Sequence, residues 1–547
     1  MTVTARRAPT RWPRTLRCLL SPLVAMVVAS PQIRAQTITI WPLVMLTGEL
    51  EEKIRLDQLA GRVPSTPFLL RSPSRLMFEG RDDGSLRIGL LGPVLRTVHN
   101  SGLPFSLNEG ALWAGRGWNK EASAGVFLGV GPVRLILAPT MVFEQNELFQ
   151  IIPYPQNATP ARSVWANPFH PLPESIDLPI RFGDKPITRL DAGQSSLTAN
   201  VWELSVGAAT ENLWWGPGIR NAITLSNNAP GFPHAFVQTR QPILTPVGTF
   251  DAQWILGKLS ESSFFDLDAT NNARSLSGLA LTWSPASDAG LSIGAARIVM
   301  AARRNRIPPS AAFDVFRLVG QPNSDTTKAP GTTDQIFSLF ARWVFPGPGF
   351  EAYAEWARFE EPVSFRDFLE YPGHSEGYTL GFQWARPMIP GHVFRLQGEA
   401  TYLEPDPSLR LRPVAVTYTS RAVPQGFTQR GEALGAAIGP GASSQFLGGD
   451  VFAPWWRVGA YIGRIRWDNG TLFEPIVPEF KRQDVSLFAG LRGSVSWNGM
   501  RLALDFTHAA RFDYLFQAYV LAPTRTGGID LVNNTFAANF SVPFGSP

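Results

Sequence analysis

From about Leu76 almost to the C-terminus, apolar and polar residues alternate with a period of two, in segments about ten residues long. Phe337, Leu339, Ala341, Trp343 and Phe345 fall on one side of such a segment, and Ser338, Phe340 and Arg342 on the other. The turn Pro346-Gly347-Pro348-Gly349 follows, and the return run sets Ala352, Ala354 and Trp356 against Glu351, Tyr353 and Glu355. Successive side chains of a strand point to opposite faces, so this is a hairpin with one greasy and one charged face. The pattern recurs in Tyr378 to Trp384, Phe394 to Tyr402, Val485 to Ser496 and Arg501 to Thr507. A soluble sandwich also alternates. Strand lengths near ten, aromatics at strand ends, and an export signal without disulfides select instead a transmembrane antiparallel β-barrel with a polar lumen. The 49 Gly, 47 Pro and 17 Trp fit a turn-rich, aromatic-rich all-β chain. About 500 residues beyond the signal give room for roughly 16 to 20 strands.

Residues 1–35 read as a secretory signal. Five arginines (Arg6, Arg7, Arg11, Arg14, Arg17) precede the apolar run Cys18 to Ala29, which is too short to span a bilayer and is broken by Pro22. Cleavage is expected after Ala35, with Ser30 as the alternative. The sole cysteine, Cys18, leaves with the signal, which excludes a disulfide framework, a thiolate metal site and a cysteine nucleophile. Residues 36–75 form an N-terminal segment with one amphipathic helix, Glu49 to Gly61. Leu50, Ile54, Leu56 and Leu59 make its apolar face and Glu51, Glu52 and Asp57 its acidic one. An acidic polar face argues for packing against protein rather than lying on a membrane. Residues 76–547 make the barrel, interrupted by long irregular stretches at 148–200, 299–334 and 403–450. Its last strand, Asn534 to Phe544, puts Phe536, Ala538, Phe540 and Val542 on one face. No later segment has 18 consecutive apolar residues, so no membrane helix is expected.

The densest collection of ligand-binding groups runs from Glu211 to Pro242. It holds Trp214, Trp215, the turn Gly216-Pro217-Gly218, Arg220, Asn221, Asn227, Asn228, His234 and Arg240. Indole faces stack on sugar rings, while arginine and amide groups satisfy hydroxyls or acidic sugar substituents. The same tryptophans read equally as membrane-interface anchors and the Gly-Pro-Gly as a tight turn. This stretch, with Asn108 to Asn119, Ile176 to Ser196, Asp334 to Trp356 and Gln425 to Gly441, resembles the capsule assembly Wzi family of bacterial outer-membrane proteins. Gln429 departs from the histidine expected in a THRG-like motif, so no proton-dependent role is assigned there. The resemblance implies a barrel of about 18 strands, within the range the length allows, with a helical piece tucked against or into it and lumen-filling loops. It also implies a lectin-like, non-enzymatic role in binding capsular or extracellular polysaccharide at the cell surface. Tyr418, Thr428 and Arg430 then join the Glu211 to Pro242 residues as polysaccharide-binding candidates.

Other chemistry is thin. Gly373-His374-Ser375-Glu376-Gly377 matches G-x-S-x-G, but a nucleophile elbow needs a strand before and a helix after, and a period-two strand follows here. Six scattered histidines without H-E-x-x-H offer no metal site, and no cofactor is expected. Glu351 and Glu355, with Glu360 and Glu361, could form a glycosidase-like acid pair. Charge balance against Arg342 inside a polar lumen is the simpler reading. A net charge of +5 on 547 residues does not supply the concentrated basic face of a nucleic-acid binder. The expected partners are therefore polysaccharide and outer-membrane lipid, the expected state a monomer, and the alternative function a porin-like channel for small solutes.

Overall fold

The computed structural model describes residues 39–542 except 42, 47, 65–66, 79–86, 160, 172–173, 267, 269, 304–305, 318–332, 360–364, 372, 407–415, 473–481 and 523–524. The expected signal segment 1–35, Glu360 and Glu361, and Pro543 to Pro547 lie outside the described residues.

A single antiparallel meander closes on itself as a barrel of 18 strands. They are β1 (Arg87–Asn100), β2 (Gly117–Val130), β3 (Val133–Leu137 and Thr140–Glu144), β4 (Ile187–Asp191 and Ser196–Val201), β5 (Leu204–Ala209) and β6 (His234–Thr239 and Ile243–Thr245). Then follow β7 (Gly248–Ser260), β8 (Ala273–Pro285), β9 (Leu291–Arg303), β10 (Thr333–Phe345), β11 (Phe350–Arg358) and β12 (Glu376–Pro387). The last six are β13 (Val393–Tyr402), β14 (Ser443–Phe452), β15 (Trp456–Arg466), β16 (Val485–Trp497), β17 (Met500–Phe512) and β18 (Leu531–Ser541). β18 pairs with β1, Thr535 opposite Asn100 and Ser541 opposite Val94, which closes the sheet with no free edge of the barrel among the described residues. All long connections lie at one end and all tight turns at the other. The β16–β17 turn is Asn498-Gly499, both at positive φ, the two-residue hairpin geometry that Asn-Gly favours.

The alternation is turned inside out relative to a soluble protein. Leu339 and Trp343 are 46% and 43% exposed, whereas Ser338, Arg342, Glu351 and Glu355 are buried. The charged face therefore points into the lumen and the greasy face outward. Aromatics gather at the tight-turn ends of the strands, where Phe250 stacks on Trp283, Trp343 meets Phe345, Phe345 meets Phe350 and Trp497 meets Phe540. Trp118, Tyr378, Tyr402 and Phe512 mark the opposite ends. Two aromatic girdles flanking an apolar band are what a bilayer selects. Among the described residues no helix is long and apolar enough to cross a membrane.

Three expectations shift. Leu76 lies in a short helix, α2 (Pro73–Phe78), and the first barrel strand begins at Arg87. Residues 187–201 belong to the ladder as β4, broken at 192–195 where Gly193 takes positive φ against the Ala138 carbonyl; a run that short escapes detection by alternation. The other two stretches also reach into strand, since β9 runs to Arg303 and β14 starts at Ser443. Helix α1 (Glu49–Leu59) forms as read and stops at Gly61, whose φ is +67°.

Candidate functional site

A polar lumen wall must find partners or pay a desolvation cost, and here it finds them in a plug. Helix α1 buries Leu56 and Leu59 against Val344 and Ala385 near the tight-turn end. Its acidic face meets lumen arginines: Glu51 pairs with Arg71, and Glu52 accepts from Arg395 at 3.0 Å and from Arg457. Arg55 donates to Glu351 Oε1 (3.1 Å) and to the Pro217 carbonyl (2.9 Å), while Arg342 Nε donates to Glu351 Oε2 (2.9 Å). The carboxylate–arginine balance across β10 and β11 is thus realised as a buried network, completed by the helix.

Residues 210–233 leave the wall after β5, cross the lumen and return as β6. Trp214 and Trp215 form a two-residue ladder with Leu70–Arg71, and Arg71 donates to the Gly216 and Gly218 carbonyls at 3.0 and 2.7 Å. Three successive amides, of Ile219, Arg220 and Asn221, converge on the Glu399 carboxylate of β13 at 2.8 to 3.2 Å, and Tyr353 donates its hydroxyl to the same group at 2.7 Å. The connection after β13 locks onto this segment. Asn228 donates to the Ala433 carbonyl (2.9 Å), Ser226 to Gly435, and Tyr418 to Ile223 (2.8 Å).

The sequence-based candidates therefore come together, but mostly as masonry. Trp214 is wholly buried beside Leu46 and Ala222 with Arg71 over its ring at 4.8 Å. Trp215 is equally buried, and its Nε1 donates to Gln253 at 2.6 Å. Neither indole offers a face to a sugar, which corrects the stacking role expected of them. Arg220 lies over Phe446 at 3.9 Å, and Asn221 donates to Ser444. Asn227 donates to the Asn108 carbonyl at 3.1 Å, and His234 is buried on β6, its Nδ1 2.8 Å from the Phe232 carbonyl. Thr428 is buried and bonds the Gln425 carbonyl, Arg430 pairs with Asp191, and Arg240 is exposed between the two runs of β6, in the tight-turn half. Gln429, at the histidine position of the motif, accepts from the Ser260 amide at 2.8 Å and so ties plug to wall.

Only Asn228 among the candidates lines an open cleft of about 250 Å³ at the long-connection end. Six separate connections build it. Half-buried Trp113 packs edge-on against Phe182 at 4.9 Å. Half-buried Trp467, also on the cleft, donates to Ser486 (2.8 Å) and carries Arg511 at 5.0 Å over its ring. Arg511 is fixed by a two-pronged pair with Asp484, both contacts 2.7 Å, and Asp468 lies 2.7 Å from His170 Nε2. Glu432 lines the floor. Burial, then the neighbouring Glu144, pushes its carboxyl well above the ordinary carboxylate range against the pull of Arg189. A raised folded value means that its stabilising contribution is complete below about pH 4.3 and is lost as pH rises through that value. Glu432→Gln is accordingly expected to leave the thermal midpoint unchanged at pH 4 and to raise it at pH 9. Sequence reading missed Trp113 and Trp467, although Trp113 sits inside a quoted motif segment.

Ser375 precedes β12 directly and follows a short helix, Phe365–Glu370, the reverse of a nucleophile elbow.

A closed barrel with an outward apolar band and a lumen filled by its own chain defines a plugged, membrane-spanning β-barrel with a cleft at one end. The chain belongs to the capsule assembly protein Wzi family, whose model matches residues 105–467, more than half its length. A search of the curated proteins finds no match. Among solved structures, the outer-membrane protein Wzi of Escherichia coli, involved in group 1 capsule assembly and described as a carbohydrate-binding β-barrel, superposes with a TM-score of 0.60 at 11% identity. The match covers 92% of this chain and 100% of that one, and it shows a shared fold. The outer-membrane protein OprD of Pseudomonas aeruginosa is also similar, at 10% identity over 83% of this chain and 93% of that one, but with a TM-score of only 0.38.

Proposed function

We propose that this protein is a non-enzymatic outer-membrane lectin that holds capsular or extracellular polysaccharide at the bacterial surface through the cleft at its long-connection end. Long connections of such barrels face outward and short turns face the periplasm. The observation that carries the reading is the pairing of two half-buried tryptophans with fixed carboxylates, an amide and the buried Glu432 carboxyl in one cleft above a filled lumen. Aromatic faces take the C–H side of a sugar and the polar groups take its hydroxyls. Each ring binds weakly, and a polymer gains affinity by engaging many barrels at once. A porin is disfavoured by the plug: reconstituted in planar bilayers, the native chain is expected to stay closed where an open porin steps.

The test is retention of polysaccharide chains by the purified barrel on a glycan array. Trp113→Ala with Trp467→Ala removes two stacking faces worth about 1 kcal/mol each, so binding should fall about tenfold or more. Trp214→Ala, which removes a buried brace, should destabilise the plug without that selective loss. Equal retention by the cleft variant at equal surface level would move the site elsewhere.

A further inference from the structure

The barrel wall has a notch. β5 and the first run of β6 are six residues each, beside thirteen in β7, β8 and β9. Ala209 ends β5 opposite both Ser196 and His234, and His234 lies opposite Gly257. Toward the long-connection end the first run of β4 and the end of β7 continue past this level, while the chain between them has turned inward as the plug. On the outer surface this leaves a groove of about 880 Å³ with an apolar floor that includes Leu137, Leu197, Ala208, Ala235 and Leu256. Leu137 and Leu197 stand open to it. Its rim is cationic: Lys258 and Arg306 are exposed, and Arg303 beside them is fixed by Ser275 (2.8 Å) and Asp314 (2.6 Å).

One wall of the groove comes from a flap. Residues 306–317, which include a 3-10 helix at Pro309–Phe316, fold down over the outside of β7 to β9. Gln253 and Ile255 point into the lumen, so Trp254 points outward, and its Nε1 donates to the Ala312 carbonyl at 2.8 Å. Ser277 donates to the same carbonyl (2.7 Å), and Arg297 donates to the carbonyls of Val315 (3.0 Å) and Arg317 (2.9 Å). The flap thereby covers outward polar groups of the wall. In their place it shows Phe313 and Phe316, more than half exposed and edge-on to Trp254 at 5.0 and 5.7 Å. A segment that hides polar atoms and displays phenyl rings on a lipid-facing wall is built for the membrane, not for water.

We propose that this groove is a site for one lipid with an anionic phosphate headgroup, its acyl chain along the apolar floor and its phosphate between Lys258 and Arg306. This rests on the membrane-spanning reading of the barrel and is independent of the glycan cleft. The groove's lining is mostly apolar, Ser196 and His234 within it are buried, and the Ser195 and Thr210 hydroxyls already donate to the Ala192 and Gly193 carbonyls, which suits an acyl chain better than a sugar. Every lipid in a bilayer solvates such a floor equally well through its chains, so selectivity rests on headgroup charge. Two cations at the rim then give a preference for an anionic lipid of about tenfold.

Native mass spectrometry of the full barrel, released from micelles holding equal dioleoylphosphatidylglycerol and dioleoylphosphatidylcholine, tests it. The native chain should retain the glycerol lipid about tenfold over the choline lipid, and excess inorganic phosphate should not displace it. Lys258→Glu with Arg306→Glu should bring the two lipids to parity, and Ala208→Trp, which fills the floor, should lose both. Heat-modifiable gel mobility establishes that each variant is folded, and the exposed rim pair decides the matter if Ala208→Trp does not insert. Equal retention of the two lipids by the native chain, a preference that survives charge reversal, or displacement by phosphate alone would overturn the proposal.

Discussion

Glu399→Gln is expected to destabilise the barrel by about 2–5 kcal/mol and to turn a closed protein into one that conducts in bursts. The Glu399 carboxylate is buried and accepts from the amides of Ile219, Arg220 and Asn221 and from the Tyr353 hydroxyl. A carboxamide of the same shape offers one acceptor oxygen and turns an N–H₂ toward donors. Either the Asn221 amide, bonded to Oε1, or the Ile219 amide, bonded to Oε2, then loses its partner at about 1–3 kcal/mol, the forked Arg220 amide is cut to one contact, and the new N–H₂ faces N–H donors. Because those amides belong to the strand-to-strand crossing that fills the lumen, the loss falls on the plug rather than on the wall ladders. Tyr353→Phe is the control: it removes a single donor, should cost about 1 kcal/mol, and should leave the bilayer silent. Thermal midpoint in detergent and planar-bilayer recording are the readouts. A Glu399→Gln barrel as stable and as closed as the native one would show that the crossing is held by packing alone.

How far the sequence reaches is visible in these residues. The period of two placed Ser338, Arg342, Glu351 and Glu355 on one side and Leu339 and Trp343 on the other, and that division is the lumen and lipid division of the barrel. The acidic side of α1 was legible as a protein-facing surface, and it meets Arg71, Arg395 and Arg457. The misreading of Trp214 and Trp215 has a physical cause. A plug that must satisfy a charged lumen needs the same indoles, amides and arginines that a glycan site needs, and composition cannot separate the two uses. Burial separates them. Trp113 and Trp467 escaped because they lie 354 positions apart in the chain, and only closure of β18 onto β1 brings their connections to one rim. The notch escaped because strands of six residues leave no periodic signal, and the flap because a lipid-facing loop reads in sequence as any irregular loop.

Asp450 presents the second large effect, since one buried carboxylate serves three guanidinium groups. Arg395 reaches it at 2.6 Å, Arg457 at 2.9 Å and Arg492 at 2.7 Å, and Glu52 of α1 shares Arg395 and Arg457. With Asp450→Asn the cluster keeps three cations against Glu52 alone, and removing one partner from a buried ionic network costs about 3–5 kcal/mol. The loss should release α1 from the tight-turn end, read as hydrogen exchange in Glu49–Leu59 and tryptic cleavage after Lys53. Acid should reach the same state from the other side. Burial opposes ionisation of Glu52, but Arg457, Arg395 and Arg492 outweigh it and hold its carboxyl below the usual range. A lowered folded value makes its contribution complete above about pH 4.3, and it is lost as pH falls through that lower value. Glu52→Gln at neutral pH should therefore exchange α1 amides as the native chain does in strong acid, and should flatten the acid limb of the stability profile. Protection of α1 that ignores both the substitution and the pH would mean that Leu56 and Leu59, packed on Val344 and Ala385, hold the helix without help from charge.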